Sequence, residues 1–234
     1  MTVILPRNTA RAAYVPVMAP QMAKAFRMAT LLGSLLLSAC SVFGVRSGTE
    51  EPPHSLVERL GDVEIRRYAP RIAAETTVPG DAASARGEGF RRLAGYIFGG
   101  NQGRIRIDMT APVAQSVAPP GARIAMTAPV AQAPAAAGWV IRFFLPAGLA
   151  NPPKPNDDRV RIVPTPAETV AVLRFSGLAT DAAIAAQRAT LLATLADTRY
   201  RAVGDPVTWF YDPPWTLPPL RRNEVAVPVV AGAG

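Results

Sequence analysis

The chain contains one cysteine and one histidine, and these two residues bound its chemistry. Cys40 has no partner for an intrachain disulfide, and together with His54 it is too little for the Cys/His clusters of zinc or iron–sulfur sites. A nucleophile–histidine device would have to use His54, which stands in the proline-rich approach Glu51-Pro52-Pro53-His54 and reads first as a solvated linker residue. The carboxylates Asp62, Glu64, Asp108 and Glu224 show no spacing that pairs an acid with a base, so an enzyme is not expected. Two methionines stand out because their surroundings repeat. Arg106-Ile107-Asp108-Met109-Thr110-Ala111-Pro112-Val113-Ala114-Gln115 recurs as Arg123-Ile124-Ala125-Met126-Thr127-Ala128-Pro129-Val130-Ala131-Gln132, nine of ten positions matching at an offset of 17. A thioether fills an irregular core or lines an adaptable pocket, and core filling is the simpler role. Each copy runs into a proline that lacks the N–H of a central ladder. The spacing predicts a hairpin of two edge-type strands, with Ile105, Ile107 and Met109 on one face.

Behind these residues stands a chain of 234 residues, 49% hydrophobic and 18% charged, enough for one substantial folded domain. Its formal charge is +8, but residues 1–39 hold four basic side chains and no acid, leaving 21 against 17 for the rest. That is not the concentrated basic stripe of a nucleic-acid binder. Residues 22–40 read as an export signal: Lys24 and Arg27, then an apolar run from Met28 to Ala39. The run is too short to span a bilayer, which needs roughly 17 residues or more. The ending Leu37-Ser38-Ala39-Cys40 resembles the bacterial lipoprotein signal, which implies cleavage and lipidation at Cys40. Residues 1–39 are thus assigned to export, with Met22 a candidate start, and residues 40–55 to the lipidated cysteine and a flexible tether. The folded domain takes 56–230, and 231–234 form a short tail. Anchored in this way the protein is exported and held at the cell envelope. Ser41 supplies no aspartate-like retention signal, so a Gram-negative cell would hold it on the periplasmic side of its outer membrane.

Within the domain, Val63 to Arg66 alternates as a strand, and Arg71 to Val78 follows as a second after a bend at Pro70. Asp81 opens a helix in which Ala82, Ala85, Gly89, Phe90, Leu93, Tyr96 and Ile97 share a stripe, and Gly99-Gly100 closes it. Strands are read again at 159–163 and 169–175. A second helix starts at Asp181, with Ile184, Arg188, Leu191, Leu192 and Leu195 on one side. Short strands follow at 207–211 and 224–227. Two strand–helix–strand halves suggest a pseudo-duplicated α+β domain.

The motifs Val63-Glu64-Ile65-Arg66-Arg67-Tyr68, Gly89-Phe90-Arg91-Arg92-Leu93-Ala94-Gly95-Tyr96-Ile97-Phe98-Gly99 and the two Met-Thr-Ala-Pro-Val copies resemble the SOUL haem-binding protein family. So do Phe143-Phe144-Leu145-Pro146, Thr169 to Gly177, and Tyr211-Asp212-Pro213-Pro214-Trp215 with Leu220 to Val225. The resemblance covers residues 56–228 and implies a distorted antiparallel β-barrel with two helices, built from pseudo-duplicated β-α-β-β halves. It implies non-covalent binding of haem or a metal-free porphyrin, on a surface formed by Phe90, Leu93 and Ile97 with Tyr211 and Trp215. Arg67, Arg91 and Arg92 would approach the propionates, and Met109 and Met126 are further candidates for the site. One vertebrate branch of the family carries its iron-ligating histidine at the position of Arg67. No histidine–iron bond is therefore expected here, because arginine does not ligate haem iron. The implied function is haem or porphyrin carriage at the envelope. Two alternatives stay open: a binding module for another amphipathic small molecule, and an envelope interaction lipoprotein with a protein partner.

Overall fold

A computed structural model of the chain describes residues 49–118 and 138–232. Residues 1–39, Cys40 and Met126 lie outside the described residues, as does the second Met-Thr-Ala-Pro-Val copy. The elements run β1 (His54–Leu60), β2 (Val63–Tyr68), β3 (Arg71–Val78), α1 (Ala82–Ile97), β4 (Val113–Val117), β5 (Trp139–Phe144), β6 (Val160–Thr165), β7 (Glu168–Phe175), α2 (Asp181–Ala196), β8 (Tyr200–Ala202), β9 (Val207–Phe210), a 3₁₀ turn (Pro218–Leu220) and β10 (Asn223–Ala231). Among the described residues no helix is long and apolar enough to cross a membrane.

The strands pair antiparallel in the order β1-β2-β7-β10-β9-β4-β5-β3-β6, with β8 on β10. Because β1 and β6 end this path, the barrel is not closed, and the expected distorted antiparallel architecture with two helices is what the chain adopts. The order also displays the duplication. Reading outward from the β4–β9 junction, one side is β4-β5-β3-β6 and the other β9-β10-β7-β2. Each side has its helix between equivalent strands, α1 after β3 and α2 after β7. The outermost strand of each set is borrowed from the other half of the sequence.

Helix α1 starts as its sequence dictates. The Asp81 carboxylate accepts hydrogen bonds from the Ala83 and Ser84 amides at 3.0 and 2.9 Å, which holds that carboxyl below its usual range. Its stripe of Leu93, Tyr96 and Ile97 is buried with Ile141, Phe143 and Val160. Gly89 lets the helix lie flat on β5, since a Cβ there would come within 2.4 Å of Ile141. The outer face is charged, Glu88 pairing with Arg91 at 2.7 Å and Arg92 at 2.8 Å. Helix α2 differs. Thr180, one residue before the expected start, caps it by accepting from the Ala183 amide, and Leu191 and Leu195 bury against Val63, Ile65, Val225 and Val227. Its outward residues Ala182, Ala185, Ala186, Ala189, Leu192 and Ala196 include no charge. Arg188 turns aside to donate to Thr208 at 3.2 Å.

Two local readings differ from the structure. The segment 104–109 is not a strand. Asn101 ties it as a loop, donating to the Ile105 carbonyl at 2.8 Å and accepting from the Ile105 amide at 3.0 Å. Ile107 is buried while Ile105 and Met109 are exposed, and the strand begins beyond Pro112, at β4. The chain is also structured earlier than Leu56: β1 starts at His54, opposite Tyr68, and the Glu50 carbonyl accepts from the Ala111 amide at 2.9 Å.

Candidate functional site

Strand alternation turns Glu64, Arg66 and Tyr68 of β2 away from α2, toward the inside of the curved sheet, where β10 presents Glu224. Glu224 is fully buried. Its carboxylate accepts from Arg66 Nη1 and Nη2 at 3.0 and 3.1 Å, from the Tyr211 hydroxyl at 2.7 Å, and from Arg222 Nε and Nη2 at 3.0 and 2.8 Å. Arg222 lies over the Tyr211 ring at 3.7 Å and reaches Glu51. Arg66 reaches Glu64, which also takes Arg59. Burial alone would push the Glu224 carboxyl up, but the Arg66 and Arg222 guanidiniums and the Tyr211 hydroxyl hold it below the ordinary carboxylate range. Burial, with Glu224 alongside, pushes the Tyr211 phenol well above its usual value. Such a relay of alternating charges is satisfied within itself. It can orient the strands, and it presents no free acid or base.

On one side this relay opens into a groove of about 810 Å³ between β2, β7, α2 and the 3₁₀ turn. A volume of that order suits a ligand of cofactor size. Val172, Phe175 and Leu220 supply apolar wall, and Arg59, Arg66, Arg174 and Arg221 supply four guanidiniums against the two carboxylates Asp62 and Glu64. Its lining includes no histidine, methionine, cysteine or tyrosine. A tetrapyrrole fits this donor set as an apolar anion, with no axial iron ligand from the wall. Among the described residues no group of three His, Cys, Asp or Glu side chains is placed to hold a metal ion.

Two further cavities among the described residues are smaller. One of about 130 Å³ lies on the inner faces of β4, β5 and β9. The other, about 10 Å³, has room for about one water and is lined by Arg71, His54, Tyr68, Phe144, Trp209 and Tyr211 among others. Arg71 is sandwiched between the rings of Tyr68 and Phe144, at 4.2 and 4.4 Å, and pairs with Glu168. Its buried Nε and Nη1 have no hydrogen-bond partner, and burial, against the pull of Glu168, lowers its pKa from the usual value.

The residues singled out by the sequence are spread over several environments. Arg67 is exposed on β2, next to the buried Arg66. Leu93 and Ile97 are fully buried beneath α1, and Phe90, at the helix edge, meets Phe143 edge-to-face at 5.3 Å. Arg91 and Arg92 hold Glu88. Met109 is exposed on its loop, Tyr211 is inside the sheet on Glu224, and Trp215 is exposed beyond it. His54 is exposed and makes a ring contact with Tyr68 at 5.1 Å. None of these residues lines the groove. The groove arginines escaped notice because arginines are scattered through the sequence and only the pairing of β2 with β7 brings Arg66 and Arg174 together.

Comparison with known proteins gives a consistent picture. A family model described as SOUL heme-binding protein matches residues 49–228. A Mus musculus protein named heme-binding protein 2 is 30% identical over 145 residues, 57% of this chain. The match spans 66% of that protein's length, just under two thirds. The crystal structure of the EcmrR C-terminal domain superposes with a TM-score of 0.51 at 14% identity, over 72% of this chain and 97% of that one. EcmrR in a cryo-EM complex with DNA gives 0.51 at 13%, over 91% of this chain and 69% of that one. At such identities the likeness is one of fold alone.

Proposed function

The chain belongs to the SOUL haem-binding protein family, and from that premise we propose that it holds haem or a metal-free porphyrin, non-covalently, in the groove beside Arg66. The family is one of haem binders and not of catalysts, and the protein is not an enzyme. The observation that carries the proposal is the groove's charge: four guanidiniums against two carboxylates, with Arg174 outside any ion pair among the described residues, beside Phe175 and Leu220, and no side chain that ligates iron. Guanidiniums pair with propionates in the bidentate geometry carboxylates favour, while Phe175 and Leu220 cover part of the macrocycle. The place of action is the cell envelope, where a lipid on Cys40 anchors the exported domain. The support is the sequence Leu37-Ser38-Ala39-Cys40 after a short apolar run.

The wall would also accept another amphipathic anion, since nothing in it is specific for iron. Absorption titration of the purified chain with haem, metal-free porphyrin and a fatty acid separates these readings. Haem and porphyrin should bind within about one order of magnitude of each other, or about 1.4 kcal/mol. Arg174→Ala should weaken both alike. Tight binding of the fatty acid with no tetrapyrrole binding would replace the proposal by the amphipathic-ligand reading. Intact-mass analysis of native protein, starting at a modified Cys40, tests the anchor.

A further inference from the structure

The outward face of α2 is unusual for a surface helix. Ala182, Ala185, Ala186, Ala189, Leu192 and Ala196 are all exposed, and the only charged residues of its 16 are Asp181 and Arg188. Helix α1, of the same length, covers its outer face with Glu88, Arg91 and Arg92. The uncharged surface continues past the start of α2. Leu178, Leu192, Trp215, Leu217 and Leu220 are 41–62% exposed. The Gly177 amide donates to the Pro218 carbonyl at 3.0 Å, and Asn223 Nδ2 to the Gly177 carbonyl at 3.1 Å, which sets Leu178 beside the 3₁₀ turn. Leu220 in turn shares the groove wall with Gln187 and Thr190 of α2. Residues 213–220 carry no charge and four prolines, so the loop holds its shape with little left to order.

The acids bordering this surface, Asp181 and Asp197, stand at the two ends of α2, and the charges on its loop side are positive. Arg221 bonds through its guanidinium to the carbonyls of Thr216 and Pro214, and Arg174 is exposed at the neighbouring strand end. Neither has an ion pair with a carboxylate among the described residues. An exposed tryptophan among leucines, with arginines behind it and no acid between Pro213 and Leu220, is the composition of a surface that sits in a bilayer interface. Only eight residues, 41–48, separate Cys40 from the first described residue. Fully extended, the nine steps from Cys40 to Thr49 reach no more than about 32 Å, so a lipid on Cys40 would keep Thr49 within that distance of a bilayer.

We propose that the outer face of α2, with Leu178 and the loop 213–220, docks on an anionic lipid bilayer. The groove then opens at the membrane surface, and an amphipathic ligand passes between bilayer and groove along Leu220 with little exposure to water. The docking goes beyond the ligand reading, and only the passage of a ligand into the groove rests on that reading.

The test uses the full chain and vesicles of phosphatidylcholine with phosphatidylglycerol, brominated in their acyl chains so that a tryptophan dipping among them loses its emission. Trp139 and Trp209 form the background, which the Trp215→Phe chain measures. Docking predicts that the Trp215 contribution shifts to shorter wavelength and is mostly lost. Leu178→Asp and Leu192→Asp, both at exposed positions outside the groove, should each raise the vesicle concentration for half-quenching by about tenfold. Trp215 emission that survives on vesicle-bound chain overturns the proposal. So does a dimer, formed without vesicles, in which Trp215 is shielded from a water-soluble quencher, because a second copy then takes the face. Haem titration of the same samples keeps the two readings apart. Haem binding with unquenched Trp215 defeats the docking alone, and quenched Trp215 without tetrapyrrole binding defeats the ligand assignment alone.

Discussion

Replacing Glu224 by glutamine keeps the size of the side chain and removes the negative charge at the centre of the relay. In the folded protein Arg66 and Arg222 then face a neutral amide, with side-chain exposures of only 6 and 14%. Breaking a buried ion pair by neutralising one partner costs about 3–5 kcal/mol. Arg66 keeps Glu64 and Arg222 keeps Glu51, so the low end applies, about 3 kcal/mol. For a domain of this size that lowers Tm by roughly 6–12 °C. The pH dependence follows from the direction of the shift. The Glu224 carboxyl is held below its ordinary value in the folded state, so its contribution is fully present above the unfolded pKa and fades as pH falls through the folded one. Urea unfolding of both proteins at pH 7 and again near pH 3 reads the difference directly. The gap between them should be widest at pH 7 and narrow in acid. A gap below about 0.5 kcal/mol at pH 7, or one of equal size at both pH values, would refute the relay as a source of stability.

Gly89→Ala should destabilise by about 1–3 kcal/mol in the same assay, because its methyl group would overlap Ile141 at 2.4 Å; stability within experimental error of the parent would mean that α1 can lift off β5 at no cost. Arg71→Met should leave stability unchanged or raise it slightly, since it removes two buried N–H groups that lack partners and leaves Glu168 with access to water; a loss above about 3 kcal/mol would show that the pair with Glu168 outweighs the burial of the cation. His54→Ala should leave the Soret spectrum of the haem-loaded protein unchanged, because His54 lies on the Tyr68 ring and not in the groove wall; a shifted Soret band would make His54 a ligand.

The elements most visible in the sequence are those whose inner and outer faces differ by chemistry. The stripe through Leu93, Tyr96 and Ile97 and the cap at Asp81 locate α1 within a residue, and 71–78 is β3 as read. Strand β1 was harder to see, because its Leu56 and Val57 point to water on a sheet edge and give no alternation of apolar and polar. The Ile105, Ile107, Met109 pattern misleads for a different reason. It has a strand's period, but the Asn101 side chain and the left-handed Arg104, with φ of 54°, bend the backbone into a loop. Least legible is the polar centre. Arg66 and Arg67 are identical neighbours, and only the register of β2 decides that Arg66 turns inward to Glu224 while Arg67 faces water. The resemblance drew attention to the Arg67 position, and the structure puts the buried chemistry one residue earlier.

The exchange of outer strands between the two halves bears on when the protein can fold. Strand β2 pairs with β1 on one side, but its other side stays open until β7 arrives to pair Val63 with Leu173, and β7 in turn needs β10, the last strand, on its other side. In the opposite half, β3 is flanked by β5 and β6, so that half also waits for a strand from beyond its own end. A chain emerging from its amino end has therefore no complete sheet to close around until nearly all of it is available. Long-range pairing of this kind slows folding, so the sheet closes late, after nearly the whole chain has been made.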